Sequence, residues 1–261
     1  MVYKNKFYEA VAILPMFENM LSSLPKSIAD NATEIRIRAG KPIIIETIDS
    51  RYVCGSRCIG IDEIYSSSSN RAILTSQPTC EILKKEATIL EWCHEAVAAK
   101  YFFFDSKNGE RGWVFAQPSY IEKFASKEVV DLGEKWYEHT DFADKNFKEG
   151  IEVTRKKAFE FLAGFGFTYD EQKGMYKCTA KGNKRVALFA HQGMGLLLLS
   201  IISLIPYPTF STRFDMTHTG VTVIEFPEKD GYVLPTILTL SNDSHIYREG
   251  LPTKYSNAFY I

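Results

Sequence analysis

The sequence lacks an excess of charge of either sign. Its 261 residues include 31 Lys and Arg against 32 Asp and Glu, for a net charge of −1. Proteins that bind nucleic acid or an anionic membrane surface usually carry a basic patch and a marked positive charge. We therefore predict that neither nucleic acid nor a membrane is a partner of this chain.

Cysteine is scarce, and no apolar run is long. The most apolar segment, Leu196 to Pro206, has about half of the roughly 20 residues that a membrane-spanning helix needs. The first residues also lack the cleavage site of a signal peptide. The five cysteines form no CxxC pair and no cluster with histidines at zinc-site spacing: Cys54, Cys58, Cys80, Cys93 and Cys178. These features predict a cytoplasmic protein without a metal or another cofactor.

The first 58 residues differ in pattern from the rest. Apolar residues recur at three- and four-residue steps over residues 7–24, which predicts one or two short amphipathic helices. Glu34 to Arg38 alternates charged and apolar residues, and a β-branched stretch over residues 43–45 follows a turn-like segment, which predicts a hairpin. We therefore predict an atypical helix–hairpin segment over residues 1–58 and a larger domain over residues 59–261.

Strands and helices alternate in the larger domain. The patterns predict strands over residues 60–66, 87–90, 184–190, 220–226 and 232–240. They predict helices over residues 70–84, from residue 151 to Gly164 or Gly166, and after His191. The strand at 184–190 has the pattern of a buried strand, and the aromatic segment 91–150 is expected to be an irregular insertion. This alternation predicts an α/β fold in which helices flank a sheet.

Polar groups suited to an oxyanion follow two of these strands. In the stretch SSSSNR, serine hydroxyls, helix N-terminal amides and the Arg71 guanidinium can together cradle a phosphate. A protonated His191, with Gln192 at the start of the next helix, can donate to the same anion. Glu95 can protonate a leaving oxygen. The sequence therefore offers a phosphate-binding set with a candidate acid.

Ordinary structural roles also explain these residues. An arginine after serines occurs as a helix-capping surface residue, and Glu95 beside His94 as a solvated pair. His245, two residues after Asp243, can donate to that carboxylate or serve a site. The residues alone leave these alternatives open.

Four stretches of the larger domain resemble, in order and spacing, the phosphoglycerate-mutase-like branch of the histidine phosphatase superfamily. They are GIDEIYSSSSNRAILTSQPT, ILEWCHE, VALFAHQGMGLLLLSIISLIPYP, and TGVTVIEF followed by SNDSHIY. The resemblance covers about residues 59–255 and implies a three-layer phosphoglycerate-mutase-like sheet flanked by helices. It also implies that the partner is a small phosphorylated molecule or inorganic phosphate.

The same resemblance assigns roles to residues. Arg71 and His191 match the phosphate ligands of the superfamily. Glu95 is the first choice for its proton donor and Glu91 the second, and His245 falls in a segment that this branch often carries near the pocket. The resemblance thus implies one site built from four separate stretches of the chain.

The nucleophile of that superfamily is missing from the chain. The family begins with a strand that ends in Arg-His-Gly, whose histidine attacks phosphorus, and no such triplet occurs. The nearest string is Arg38-Ala39-Gly40, which would bring Arg38 to the phosphate and Ala39 to the nucleophile's position. Loss of an activated nucleophile costs many orders of magnitude in rate. We therefore expect catalysis to be impaired.

The N-terminal stretch PMFENMLSSLPKSIADNATEIRIRAGKPIIIET resembles a second family, the start of stage III sporulation protein AA. That family carries a similar EIRIR-x-G-x-P stretch in its N-terminal region. Only about 20 residues separate Gly40 from Gly60, too few for the loop and helix that the phosphatase superfamily places there. We favour an N-terminal segment of separate origin. The sequence contains no Walker-type phosphate loop, so we infer no nucleotide binding.

Two functions of different classes follow as hypotheses. The first is a histidine-phosphatase-like protein that binds or acts on a small phosphate ester; a variant of it has His191 attack phosphorus while Arg38 and Arg71 hold the phosphate. The alternative is a non-catalytic module that binds a phosphorylated metabolite or recruits a protein through the N-terminal helices. The sequence specifies neither the substrate nor the oligomeric state.

Overall fold

The computed structural model describes residues 25–36, 43–54, 61–105, 111–180, 184–253 and 255. The helices predicted over residues 7–24 and the Arg38-Ala39-Gly40 string lie outside these residues. The predictions that rest on them, including a phosphate contact from Arg38, therefore stay predictions.

The described residues form a mixture of helices and strands. The α-helices are α1 (Lys26–Asn31), α2 (Asn70–Leu83), α3 (Glu95–Phe102), α4 (Pro118–Ala125), α5 (Lys127–Asp131), α6 (Phe147–Ala163), α7 (Gln192–Ile202), α8 (Tyr207–Ser211) and α9 (Ser244–Arg248). Short 3-10 helices cover Glu91–Cys93, Val114–Ala116, Gly133–Glu138 and Thr140–Phe142. The mixed α/β class predicted from the sequence is confirmed.

The strands are numbered in chain order. They are β1 (Ala32–Arg36), β2 (Ile43–Thr47), β3 (Arg51–Cys54), β4 (Glu63–Ser67), β5 (Ala87–Leu90), β6 (Phe103–Asp105), β7 (Arg111–Trp113), β8 (Phe167–Asp170), β9 (Met175–Cys178), β10 (Val186–Phe189), β11 (Val221–Glu225), β12 (Glu228–Lys229), β13 (Tyr232–Val233) and β14 (Thr236–Asn242). Residues 232–240, predicted as one strand, are divided between β13 and β14. Pro235, which lies between them, has no N–H to donate to a sheet.

The chain divides into two compact units. The first comprises the described residues of Met1–Ile64 with Gln77–Ala87 and Lys184–Ala187. In it, β1 pairs antiparallel with β2, and β2 pairs antiparallel with β3. The hairpin predicted from the EIRIR stretch is therefore confirmed, with β3 as an added strand. Ile45 in the middle strand is fully buried, as is usual for one face of a sheet that covers a core.

The second unit comprises the described residues of Tyr65–Ser76, Thr88–Asn183 and Leu188–Ile261. Its core contains α7, which is buried almost all round because it is apolar on every side. The helices α3, α6 and α8 pack against it. The segment 91–150 is not irregular as expected, since it contains α3, α4, α5 and the four 3-10 helices.

A three-stranded sheet has the order β10-β4-β5. Its strands β4 and β10 end shortly before Arg71 and His191 in the chain. The prediction that β10 is a buried strand is wrong: Val186 is 37% exposed and the rest of the strand is only partly buried. The sheet order gives the reason, because β10 is an edge strand of this sheet among the strands that the structure describes. The predicted helix end at Gly164 is confirmed, since α6 ends at Ala163 and Gly164 caps it.

Membrane-spanning helices need length and a continuous apolar surface. The described ranges contain no helix whose length and apolar surface are sufficient to cross a bilayer.

Candidate functional site

His191 is the centre of a polar cluster in the second unit. It follows β10 and immediately precedes α7 with an extended backbone. Its side chain is only 2% exposed. A buried imidazole needs hydrogen-bond partners for both ring nitrogens, and the fold supplies them from the end of β4 and the start of α2.

Both nitrogens of His191 are engaged. Nε2 lies 2.9 Å from the Ser67 hydroxyl and 3.0 Å from the Ser69 hydroxyl. Nδ1 accepts a hydrogen bond from Nε of Arg71 at 3.0 Å. The chain brings these partners together across 120 or more residues.

The Arg71 contact fixes the protonation state of His191. The Nε of arginine always carries a hydrogen, so Nδ1 must accept with its lone pair and the ring must be neutral with its hydrogen on Nε2. Burial lowers the pKa of His191 to about 4, with smaller contributions from the positive charges of Arg71 and His94. His191 is therefore neutral near pH 7, and the protonated ring expected from the sequence is not its state in the free protein.

Local sequence explains why the serines and the arginine lie where they do. Ser67 ends β4 and is fully buried. Ser69 caps α2, since its hydroxyl accepts from the Ala72 N–H at 3.4 Å. Arg71 then lies in the first turn of α2 and is exposed. Apart from the bond to His191, its guanidinium has no hydrogen-bond acceptor among the described residues, so its other N–H groups are available to a ligand.

Glu95 is a further neighbour of His191. It is the first residue of α3, and its Oε1 accepts from the Gly193 N–H at 3.1 Å. Its Oε2 is 3.9 Å from His191 Nδ1 and is buried without a hydrogen-bond partner among the described residues. Burial raises the pKa of Glu95, against the opposing effects of the Met194 and Gly193 amides and of the Arg71 and His94 charges. A carboxylate placed at the start of α7 also interacts favourably with the dipole of that helix.

Gly193 is required by the close packing around the start of α7. A Cβ at this position would lie 2.2 Å from the Trp113 ring and 2.6 Å from Glu95 Oε1. The Tyr207 hydroxyl also contacts this residue, donating to the Gly193 carbonyl at 3.3 Å. Only glycine therefore allows Trp113 and Glu95 to approach the first turn of α7 this closely.

Other residues proposed from the sequence have different partners. The Gln192 side-chain amide donates to Asp215. His245, in α9, lies 3.3 Å from the Thr219 hydroxyl through Nε2. Glu91, the second choice for a proton donor, is exposed at the start of a 3-10 helix. Of the two glutamates, only Glu95 contacts the residues around His191.

From the sequence, His94 is expected only as a solvated neighbour of Glu95. It caps α3, with Nδ1 accepting from the Ala96 N–H at 3.0 Å. Its ring centroid lies 5.9 Å from that of His191. The adjacent Glu95 and the cap position were visible in the sequence, but the direction of the ring depends on tertiary packing. We refer to Ser67, Ser69, Arg71, His94, Glu95 and His191 as the His191 cluster.

The cluster is rich in hydrogen-bond donors. Because the His191 Nε2–H is shared between two hydroxyl oxygens, the hydroxyl hydrogen of the partly buried Ser69 remains available to another acceptor. The exposed guanidinium of Arg71 and the start of α2 add positive potential. In the described ranges, no three His, Cys, Asp or Glu side chains group as metal ligands do. The arrangement suits a small anion.

No protein-family model matches the chain, and no curated protein sequence matches it. The comparison with solved structures gives several matches over about 70% of the chain. A mycobacterial glucosyl-3-phosphoglycerate phosphatase is 15% identical with a TM-score of 0.41, over 70% of this chain and 78% of that chain. A complex of that mycobacterial phosphatase with inorganic phosphate is 14% identical with a TM-score of 0.40, over 69% and 77% of the two chains. The phosphoserine phosphatase from Entamoeba histolytica, in complex with 3-phosphoglyceric acid, is 19% identical with a TM-score of 0.41, over 71% and 76%.

Proposed function

We propose that the chain is a histidine-phosphatase-like protein that binds a small phosphate ester or inorganic phosphate at the His191 cluster. The observation that carries the proposal is the hydrogen bond from Arg71 Nε to His191 Nδ1 beside two serine hydroxyls. This bond joins the two residues that the resemblance matches to phosphate ligands of the superfamily. In the proposed complex the phosphoryl group lies over Arg71 and accepts from its outer N–H groups.

The chemistry of the cluster favours binding over rapid hydrolysis. An attacking histidine needs a free lone pair directed at phosphorus. The lone pair of His191 is at Nδ1 and accepts from Arg71, so the variant in which His191 attacks phosphorus is disfavoured. Together with the missing Arg-His-Gly triplet, this supports an enzyme that is catalytically impaired or inactive.

Glu95 is a poor outward donor in the observed arrangement. One of its oxygens accepts from Gly193, and the other is buried towards His191. We therefore assign Glu95 to holding the start of α7 and not to protonating a leaving group. The alternative of a protein-recruiting module rests on the N-terminal helices, which lie outside the described residues, and no observation in the described ranges favours it.

Calorimetric titration with inorganic phosphate tests the proposal. We expect binding by the wild-type chain and a loss of about 10- to 100-fold in affinity in Arg71→Gln, as the loss of hydrogen bonds to a charged ligand implies. Arg248→Gln is the matched control, because Arg248 is also exposed and its one ion pair among the described residues is with its neighbour Glu249. We expect its affinity to equal that of the wild type.

Turnover of an aryl phosphate by the same proteins tests the proposed catalytic impairment. Very slow hydrolysis, unchanged by Glu95→Gln, is the expected result. Rapid turnover with a phosphorylated histidine on the protein would contradict impairment. The absence of any phosphate binding by the wild-type chain would refute the proposed function as a whole.

A further inference from the structure

We propose that His94 is an imidazole ligand of the bound phosphoryl group, and that it donates from Nε2. The inference rests on the proposed function and adds a ligand that the phosphatase resemblance does not assign. The ligand class is an oxyanion with an oxygen able to accept this hydrogen bond, as in a phosphate or a phosphate monoester.

The cap of α3 determines how the His94 ring is oriented. Nδ1 accepts from the Ala96 N–H at 3.0 Å, so in the neutral ring the hydrogen must reside on Nε2. The helix itself therefore selects the tautomer that donates on the side away from its own backbone. A ring held in this way loses little conformational freedom when a ligand binds.

The position of the ring places this donor in the His191 cluster. The centroids of His94 and His191 are 5.9 Å apart, with the two planes tilted by 49°. His191 in turn contacts Ser67 from β4 and Ser69 and Arg71 from the start of α2, and its Nδ1 lies 3.9 Å from Oε2 of Glu95, the neighbour of His94. The His94 side chain is only partly buried, and Nε2 has no acceptor among the described residues. It can therefore reach an anion without breaking a bond that the protein already makes.

The other members of the cluster make this donor useful. His191 uses both of its nitrogens within the protein, and Glu95 accepts through Oε1. Of the two imidazoles, only His94 therefore has an N–H that is not already committed. An anion held by Arg71 would gain a second donor from α3, so the two helices α2 and α3 would each contribute one ligand.

The substitution His94→Asn separates binding from structure. Asparagine is a favourable N-cap, so its side-chain oxygen can keep the bond to the Ala96 N–H while the Nε2 donor is lost. The chain offers a matched control in His139. That histidine also caps a helical turn, with Nδ1 accepting from the Asp141 N–H at 3.2 Å, but it packs beside Phe142, away from the cluster.

Titration of inorganic phosphate into the wild type and these variants gives the decisive comparison. We expect His94→Asn to weaken phosphate binding about 5- to 20-fold and His139→Asn to leave it unchanged, with equal midpoints of thermal unfolding for the two. In nuclear magnetic resonance spectra, the His94 ring of the free protein should be the Nε2–H tautomer, and its Nε2 hydrogen should shift downfield when phosphate is added.

The outcomes distinguish this inference from the proposed function. If His94→Asn binds phosphate as the wild type does while Arg71→Gln binds weakly, His94 is not a ligand and the proposed function stands. If His94→Asn is destabilised, the shift of the Nε2 hydrogen in the wild type decides, and the absence of a shift overturns the inference. If the wild type binds no phosphate, both proposals fail.

Discussion

Two regions of the second unit meet at α7, and one is apolar whereas the other is polar. The first, the aromatic cluster, is a set of buried rings: Phe102, Phe115, Phe124, Trp136, Phe142, Phe147 and Tyr207. Ring centroids lie 4.3 to 5.7 Å apart in the stacked pair Phe102–Phe147 and the edge-to-face pairs Phe115–Tyr207 and Phe124–Trp136, and such pairs stabilise a core. The second is the His191 cluster, in which nearly every contact is a hydrogen bond.

The difference shows how stability and function are divided. Burial of aromatic rings contributes several kilocalories per mole for each side chain. A buried histidine and a buried carboxylate contribute little net stability, since hydrogen bonds mainly offset the cost of removing polar groups from water. Substitutions in the aromatic cluster should therefore change the free energy of unfolding, and those in the His191 cluster should mainly change its pH dependence and ligand binding.

The largest effect should come from the aromatic cluster. Phe147 is 1% exposed and its ring contacts those of Phe102, Trp136 and Phe142 at 5.3 to 5.7 Å. We expect Phe147→Ala to lower the free energy of unfolding by about 3–5 kcal/mol, through lost burial and the cavity that remains. Urea unfolding measures this, and Phe147→Leu, which keeps most of the volume, should lose much less. A loss below 1 kcal/mol in the alanine variant would break the comparison.

The next effect concerns the pH dependence of stability. The pKa of His191 is about 4 in the folded protein and near 6.5 when unfolded, so the unfolded state binds more protons between these values. The free energy of unfolding should therefore fall as the pH drops from 6.5 to 4, by up to about 3 kcal/mol from this residue. Above pH 6.5 His191 is neutral in both the folded and the unfolded state, so its contribution to the free energy of unfolding no longer changes with pH.

The variant His191→Gln isolates that contribution. The raised pKa of Glu95 acts in the opposite direction, because the folded state holds that proton more tightly, and it lowers stability as the pH rises above 4.5. Since Glu95 is present in both proteins, the difference between wild type and His191→Gln should shrink from pH 6.5 to pH 4. Urea unfolding at several pH values checks this; parallel curves would show that His191 is not held neutral by the fold.

A smaller effect is expected at the junction of the two clusters. Gly193→Ala adds a Cβ that collides with the Trp113 ring and Glu95, and we expect a loss of about 1–3 kcal/mol from overpacking. Gly195→Ala, two residues further along α7, is the matched control. Its Cβ would meet only the flexible Met216 side chain, at 3.3 Å, and alanine favours helix. The midpoint of thermal unfolding should therefore be lower than that of the wild type in Gly193→Ala and higher in Gly195→Ala. Equal midpoints would contradict the packing argument.

Much of the fold near the site could be predicted from the sequence. The start of α2 at Asn70 and the limits of β5 follow from local patterns of apolar and capping residues. Arg71 and His191 follow strand ends, and the structure places them in contact. Local patterns identify which residues end an element, and in an α/β fold those ends carry the polar groups.

The remaining features depend on tertiary packing. The burial of β10 was misjudged because an apolar strand has the same sequence at the edge of a sheet as in its centre. The neutral state of His191 depends on the direction of the Arg71 side chain, and the role of Glu95 depends on the approach of α3 to Gly193. None of these follows from spacing along the chain.

The bond from the Tyr207 hydroxyl to the Gly193 carbonyl has a consequence for geometry. A helix turns by about 100° for each residue, so a bond to one carbonyl in its first turn fixes the rotational phase of the whole helix. The Tyr207 ring is itself held 5.0 Å from Phe102 and 4.3 Å from Phe115. The Tyr207 hydroxyl therefore helps to set the rotational position at which α7 begins, directly after His191.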